Sequence, residues 1–250
     1  MPRFFVRADQ VETSENEKKI IIKGEDAHHI SHSLRMAKGE KIEVCDMQKN
    51  VYECELCDFL PDKVVALIVN ERKSDTEPKC TVKLYQALPK GDKFENIIQK
   101  SVECGVSEII PFMSERCIAK LDKKDVPKKL ARWQKISESA SKQCGRGIIP
   151  EIKEPLSYKE MLDSASNEEL FIFCYEGDGT NTLKQILRSY DGEVPEKISL
   201  VVGAEGGFSI NEAALAKKYG AKMAGLGKRI LRCETAAPFA LACIAYETEF

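Results

Sequence analysis

No apolar run in this 250-residue sequence is long enough to cross a bilayer. The opening MPRFFVRADQ turns polar too soon for a secretory signal. A cytoplasmic address and no membrane partner are therefore expected. Only one CxxC occurs, at Cys54 and Cys57, and a zinc ribbon needs a second pair. No Lys-Ser or Lys-Thr completes a P-loop, and no GxGxxG opens a dinucleotide-binding unit. Charge of one sign is also missing. The net charge of −2 speaks against a generic, charge-driven nucleic-acid binder, but leaves room for a local basic surface.

What is present begins with ten cysteines. They lie singly among apolar neighbours, as in Phe173-Cys174-Tyr175, a pattern of reduced thiols in a reducing compartment. VYECELCDF alternates like a strand and puts Cys54 and Cys57 on opposite faces, so structural thiols are favoured over a metal site. The three histidines, His28, His29 and His32, share one expected helix, EDAHHISHSLRMA. The i, i+4 pair could bind a metal, but no acidic third ligand is evident. A face touching RNA or a neighbouring domain is the favoured reading, and no metal is expected.

The first seventy residues are β-rich. PRFFV, KKIIIKG, EKIEVCD, VYECELCDF and KVVALIVNE read as short strands, which with the one helix suggests a small barrel. ERKSDTEP, Glu71 to Pro78, reads as a linker. Beyond it strands and helices alternate: TVKLYQAL, GDKFENIIQKSVECG, VSEIIPF, PKKLARWQKISESASKQCG, LFIFCY, TLKQILRSY, KISLVVG, INEAALAKKYG, KMAGL and ETAAPFALACIAYETE. In the first helix of this series Phe94, Ile97, Ile98 and Val102 share a face, and Gly105 closes it. The alternation argues for an α/β fold with a mostly parallel sheet covered by helices.

The stretch Gly203-Ala-Glu-Gly-Gly207 lies between a strand and a helix. Ser209 and Glu212 have capping-box spacing for that helix. Strand ends are where open α/β sheets bind ligands. Glu205 would repel a phosphate, and glycines can serve backbone geometry alone, so on this turn by itself site and simple turn stay open. A second glycine turn, AGLGKRILRCETA, follows the last strand. Two such turns side by side offer backbone donors and acceptors to an uncharged nucleoside, with Leu226, Ile230 and Leu231 as apolar walls.

LVVGAEGGFSINE followed by LGKRILRCETAAPFA resembles the SPOUT methyltransferases. PRFF, HHISHSLRMAKGEKIEVCD, LPKGDKFENIIQKSVECGVSEIIPF and RWQKISESASKQCGRGIIPEI, in that order, extend the likeness over nearly the whole chain. Together they resemble the RsmE family. The resemblance implies a SPOUT α/β trefoil knot with a mostly parallel sheet in residues 73–250, and a PUA-like β-barrel that binds RNA in residues 1–72. It further implies a homodimer that uses S-adenosyl-L-methionine to methylate N3 of a uridine in 16S ribosomal RNA of the small subunit. The family turn reads Gly-Pro-Glu-Gly-Gly. Ala204 stands at its proline, which removes a fixed φ and some rigidity. The implied cofactor walls are Val202, Gly203, Glu205, Gly206 and Gly207, then Leu226, Gly227, Ile230 and Leu231 with Thr235 beyond, and Tyr175 with Glu176.

Uridine N3 must lose a proton before it attacks, so a base or a cation beside the carbonyl oxygens is needed. Arg229 and Arg232 are the candidate cations, Glu205 and Glu234 the candidate bases. Arg232 could equally hold RNA phosphate, and Glu234 could simply favour a helix N-terminus. Arg3, Arg7, Arg35 and Lys38 are the RNA-binding candidates of the first domain, with Gln143 and Arg146 after the long helix. The lysine-rich run from Lys120 to Lys135 reads first as a solvated face. Two other readings remain at this point: a SPOUT enzyme acting on tRNA or on a ribose 2′-OH, and a ribosome-assembly factor without chemistry.

Overall fold

The computed structural model describes residues 1–13, 17–118, 121–190 and 194–250. By internal contacts the chain divides into two units. Residues 1–77 with 141–149 form the first, and residues 78–140 with 150–250 the second.

The first unit carries β1 (Arg3–Phe5), β2 (Val11–Thr13), β3 (Lys18–Lys23), α1 (Gly24–His28), β4 (Lys41–Cys45), β5 (Asn50–Leu60) and β6 (Lys63–Lys73). They form one mixed sheet in the order β1-β4-β5-β6-β3-β2, with β1 parallel to β4 and the other pairs antiparallel. Phe4, Ile20, Ile22, Ile42, Val44, Cys54, Leu56 and Val64 close its core. Burying each large side chain of this kind contributes about 1.5–3 kcal/mol. A bulge between Leu56 and Asp58 absorbs Cys57, which leaves Cys54 wholly buried and Cys57 half-exposed.

Three expectations about chain organisation change in this unit. β2 is a further strand, too short for the alternation pattern to register. The helix expected through Ala37 stops at Ser33, where α1 passes into a π-helical turn, His29–Ser33. Arg35 then adopts a left-handed φ of 52°, which no helix continues. His28 and His32 stack on the exposed side of this turn at 4.2 Å. The supposed linker is partly strand, since β6 runs to Lys73, and Glu77 is buried.

Glu77 explains why residues 141–149 belong here. Its carboxylate accepts from Arg146 Nη2 at 2.7 Å and from the backbone amides of Gly147 at 2.8 Å and Ile148 at 3.3 Å. Arg3 Nη1 donates to the carbonyls of Gly145 and, at 2.9 Å, Arg146, while its Nη2 pairs with Glu43 at 2.8 Å. Arg3 and Arg146 were expected to meet RNA. Their guanidinium groups instead lie inside the unit, because the buried Glu77, the half-buried Glu43 and the carbonyls of the 141–149 segment take their donors.

The second unit holds β7 (Thr81–Ala87), α2 (Lys93–Glu103), β8 (Glu108–Met113), α3 (Val126–Cys144), β9 (Glu151–Ile152), β10 (Leu156–Ser157), α4 (Tyr158–Ala165), β11 (Leu170–Cys174), β12 (Asn181–Thr182), α5 (Leu183–Leu187), β13 (Lys197–Val202), α6 (Ile210–Lys218), β14 (Lys222–Gly225) and α7 (Cys233–Glu249). The last turn of α3, from Ser141, is part of the first unit. Every strand pair is parallel, in the order β10-β8-β7-β13-β11-β14-β12, with β9 on β8. α2 buries Phe94, Ile97, Ile98 and Val102, as its period requires. Gly105 closes it at φ 87°, and a Cβ there would strike Pro78 Cγ at 2.6 Å. Chain order and sheet order part company at β11. It precedes β13 and β14 in sequence but lies between them in the sheet.

Arg146→Ala should destabilise the protein by about 3–5 kcal/mol, the cost of leaving a buried carboxylate unpaired. Arg7→Ala, at an exposed residue, should stay within about 0.5 kcal/mol. Urea unfolding of the two variants beside the parent chain measures both.

Candidate functional site

The carboxyl ends of β11, β13 and β14 are neighbours, and a cleft of about 770 Å³ opens above them. That is a normal size for a small-molecule site. Its walls are Tyr175 and Glu176 after β11, Val202 to Phe208 after β13, and Ala224 to Glu234 across the end of β14 and the start of α7. Eleven residues expected as cofactor walls line it: Tyr175, Glu176, Val202, Gly203, Glu205, Gly206, Gly207, Leu226, Gly227, Ile230 and Leu231. Thr235 lies outside the lining, exposed in the first turn of α7.

The first glycine turn is held from several directions. Gly207 N–H donates to Ala204 O at 3.0 Å and closes a four-residue turn, with Gly207 at φ 60°. A Cβ on Gly203 would lie 3.2 Å from Gly207 Cα, and one on Gly206 would lie 3.0 Å from Arg116 Cβ. Gly203 O accepts from the wholly buried Gln86 Nε2 at 3.1 Å. Phe208 anchors the far end against Phe173 at 4.2 Å, centroid to centroid. The expected capping box forms: Glu212 N–H donates to Ser209 Oγ at 3.2 Å, and Ser209 N–H to Glu212 Oε2 at 2.9 Å. Glu212 Oε1 also accepts from Glu115 N–H at 2.8 Å, which sets the loop after β8 so that Arg116 Nη1 reaches Gly206 O at 3.0 Å.

Glu205 projects from this turn to Lys93. Nζ lies 2.7 Å from Oε1, and the Lys90 amide donates to the same oxygen at 3.1 Å. Burial raises the carboxyl's pKa, but the Lys93 ammonium and backbone amides including Lys90 outweigh it and hold it below the ordinary 4.5. Glu234, in the first turn of α7, is held low first by its own backbone amide and then by the Cys233 thiol, which donates to it at 3.1 Å. Burial, with that carboxylate beside it, pushes the thiol up to about 12. Both candidate bases are thus firmly ionised and engaged, which makes them weak proton acceptors.

The candidate cations differ. Arg229 and Arg232 line the cleft and are exposed, and neither makes an ion pair among the described residues. Arg232 is the N-cap of α7, yet its side chain makes no cap hydrogen bond. Lys93, Arg116, Gly177 and Thr180 also line the cleft, and sequence reasoning missed them. At Gly177 a Cβ would meet the Tyr175 ring, which would have to move aside. For Lys93 a signal existed, a cation on the first residue of a helix, but nothing linked it to a carboxylate 112 positions away.

In the first unit Arg7 pairs with Asp9 at 3.3 Å and Lys38 with Asp58 at 2.7 Å, all four exposed. Such exposed pairs contribute little to stability. Arg35 and Gln143 are exposed as well. Of the lysine-rich run, Lys120 lies outside the described residues, and Lys123, Lys124, Lys128, Lys129 and Lys135 are exposed. No group of three or more His, Cys, Asp or Glu side chains suited to a metal occurs among the described residues. No helix among them is long and apolar enough to cross a membrane.

Residues 76–245 match the RNA methyltransferase domain family, and residues 22–58 the RNA methyltransferase PUA domain family. Ribosomal RNA small subunit methyltransferase E of Bacillus subtilis (strain 168) is 33% identical, covering 100% of this chain and 98% of the relative. This chain belongs to the RsmE family. The protein of the same name from Mesomycoplasma hyopneumoniae (strain 232) is 37% identical, covering 96% and 97% of the two chains. The crystal structure of a ribosomal RNA small subunit methyltransferase E from Neisseria gonorrhoeae bound to S-adenosyl methionine is 32% identical. It superposes with a TM-score of 0.84 over 98% of this chain and 96% of that one. The RsmE kinship and the α/β fold with a separate N-terminal sheet, both expected from sequence, are borne out.

The Glu205 carboxyl predicts a pH effect. Its folded pKa is depressed, so its ionised form stabilises the protein fully above the unfolded value. That contribution fades as pH falls through the lower folded value. The melting-temperature gap between the parent chain and Glu205→Gln should be positive at neutral pH and close below the ordinary 4.5. A gap that persists unchanged in acid would show that the ionised pair contributes nothing.

Proposed function

We propose that this RsmE-family chain methylates N3 of a uridine in the decoding region of 16S ribosomal RNA, using S-adenosyl-L-methionine. The observation that carries the reading is the cleft at the joined ends of β11, β13 and β14, built from two glycine turns. The donor set fits a nucleoside sulfonium. Gly203 to Gly207 and Leu226 to Gly227 line the cleft, with glycines that bare the backbone, and Leu226, Ile230 and Leu231 supply apolar surface. When bound, the cofactor supplies an already activated methyl group.

The protein's own work is then orientation and charge. Arg232, with Arg229 beside it, donates to a uridine carbonyl oxygen and stabilises the charge left as N3 loses its proton. Glu205 shapes the turn, and Glu234 favours the start of α7. In the first unit Arg7, Arg35 and Lys38 hold RNA phosphates, a role that Arg3 and Arg146 cannot share while they are buried in ion pairs. The proposal includes a cytoplasmic location, a homodimer and action on the small ribosomal subunit, and it involves no metal.

Arg232→Ala should lower the single-turnover rate on small-subunit RNA about a hundredfold, with cofactor affinity little changed. Its side chain caps nothing, so the start of α7 survives the change. Arg232→Lys should restore only part of the rate, because a point charge cannot reproduce a planar fork. Nucleoside mass mapping of the product RNA identifies the methylated base. Weakened cofactor binding with an intact rate would transfer the catalytic role to Arg229.

Replacing Arg7, Arg35 and Lys38 together by Gln should weaken RNA binding and reduce its salt slope, by about one for each phosphate that is no longer neutralised. Cofactor titration should not change. Filter binding across a salt series makes the measurement, and an unaltered slope would place the RNA elsewhere.

A further inference from the structure

We propose that Lys93 is a positioning residue for cofactor binding, acting through Glu205 to clamp the 203–207 turn against the start of α2. The inference rests on the proposed use of the cleft for S-adenosylmethionine.

Lys93 is the first residue of α2. A cation there opposes the positive end of the helix dipole, so the helix itself gains nothing from it. Asp92 before it makes no side-chain cap. A residue that breaks a local rule with no local return is expected to serve a site. The return lies across the cleft. The ammonium is 2.7 Å from Glu205 Oε1, and the amide of Lys90 in the same segment donates to that oxygen. The Lys93 charge also acts on Glu234 and Cys233 at the start of α7. The cation thus stands beside the 203–207 turn and lines the cleft itself.

The clamp adds a hold at Glu205, where the other side-chain anchors do not reach. Ala204 imposes no fixed φ, and within the turn itself closure rests on the one Gly207-to-Ala204 hydrogen bond. Arg116 grips the Gly206 carbonyl from the loop after β8, and Lys93 grips the neighbouring carboxylate from α2. Between them they hold two consecutive residues from two separate elements. The backbone groups of Gly203 to Gly207 are then presented in one arrangement, and binding does not have to order them.

The experiment titrates S-adenosylmethionine by calorimetry into the full-length parent chain, Lys93→Met, Lys93→Arg, Glu205→Gln and the Lys93→Met/Glu205→Gln double variant. Lys93→Met should bind about two- to fivefold more weakly, the scale of one partly exposed ion pair. Lys93→Arg should recover most of that affinity. Glu205→Gln should resemble Lys93→Met, and the double variant should be no worse than either single one, since both break one interaction. Single-turnover methylation by Lys93→Met at saturating cofactor should stay close to the parent rate, so the defect is in KM and not in kcat.

Parent-like binding by Lys93→Met, or by Glu205→Gln if Lys93→Met does not fold, would overturn the clamp. So would additive losses in the double variant. A rate defect at saturation as large as the affinity loss would place Lys93 on the reacting groups instead. A parent chain that binds the cofactor without methylating small-subunit RNA would refute the proposed function and leave the clamp standing. A parent chain that binds no cofactor would overturn both.

Discussion

The site depends on β11 lying between β13 and β14. In a parallel sheet all carboxyl ends point one way, so three adjacent strands deliver three loops to one edge. Had the strands packed in chain order, the turn after β13 would have separated the loops after β11 and β14. Side chains reinforce the arrangement from beneath. Gln86 on β7 holds the Gly203 carbonyl, and Phe208 packs on Phe173 of β11. The glycine turn is thus tied to its neighbouring strands on both sides.

Six cations of this protein fall into three physical classes. Arg3 and Arg146 are buried with carboxylate partners and hold the 141–149 segment in the first unit. Lys93 and Arg116 sit at the cleft and bind its own turn. Arg229 and Arg232 line the cleft, are exposed and lack ion-pair partners among the described residues. A guanidinium with no internal partner keeps its full capacity for a ligand, whereas one already desolvated against a carboxylate does not. Arg3, Arg146 and Arg232 look alike as letters in a sequence, and burial alone separates their roles.

Much of the local structure was legible because it obeys short-range rules. The face of α2, the glycine that ends it, and the capping box of Ser209 and Glu212 all depend on spacings of a few residues. The strand–turn–helix setting of Gly203 to Gly207 was legible for the same reason. The helix through His28 and His32 was legible only in part, because Arg35 turns left-handed where composition signals continuity. β2 was missed because three residues carry too little periodicity. The resemblance to RsmE, carried by motifs spread along the chain, reached further than any spacing argument.

The sequence by itself determined the alternation of strands and helices, the two glycine turns, the capping residues and the family. Each is encoded in contiguous residues, where backbone sterics and hydrogen-bond reach act over a few positions. Only the tertiary structure decided which charges meet. Glu205 finds Lys93 across 112 positions, and Arg146 finds Glu77 across 69. Such pairs follow from the order of strands in a sheet and from which groups lose water on folding. Both are global properties of the packed chain, and no local pattern of residues records them.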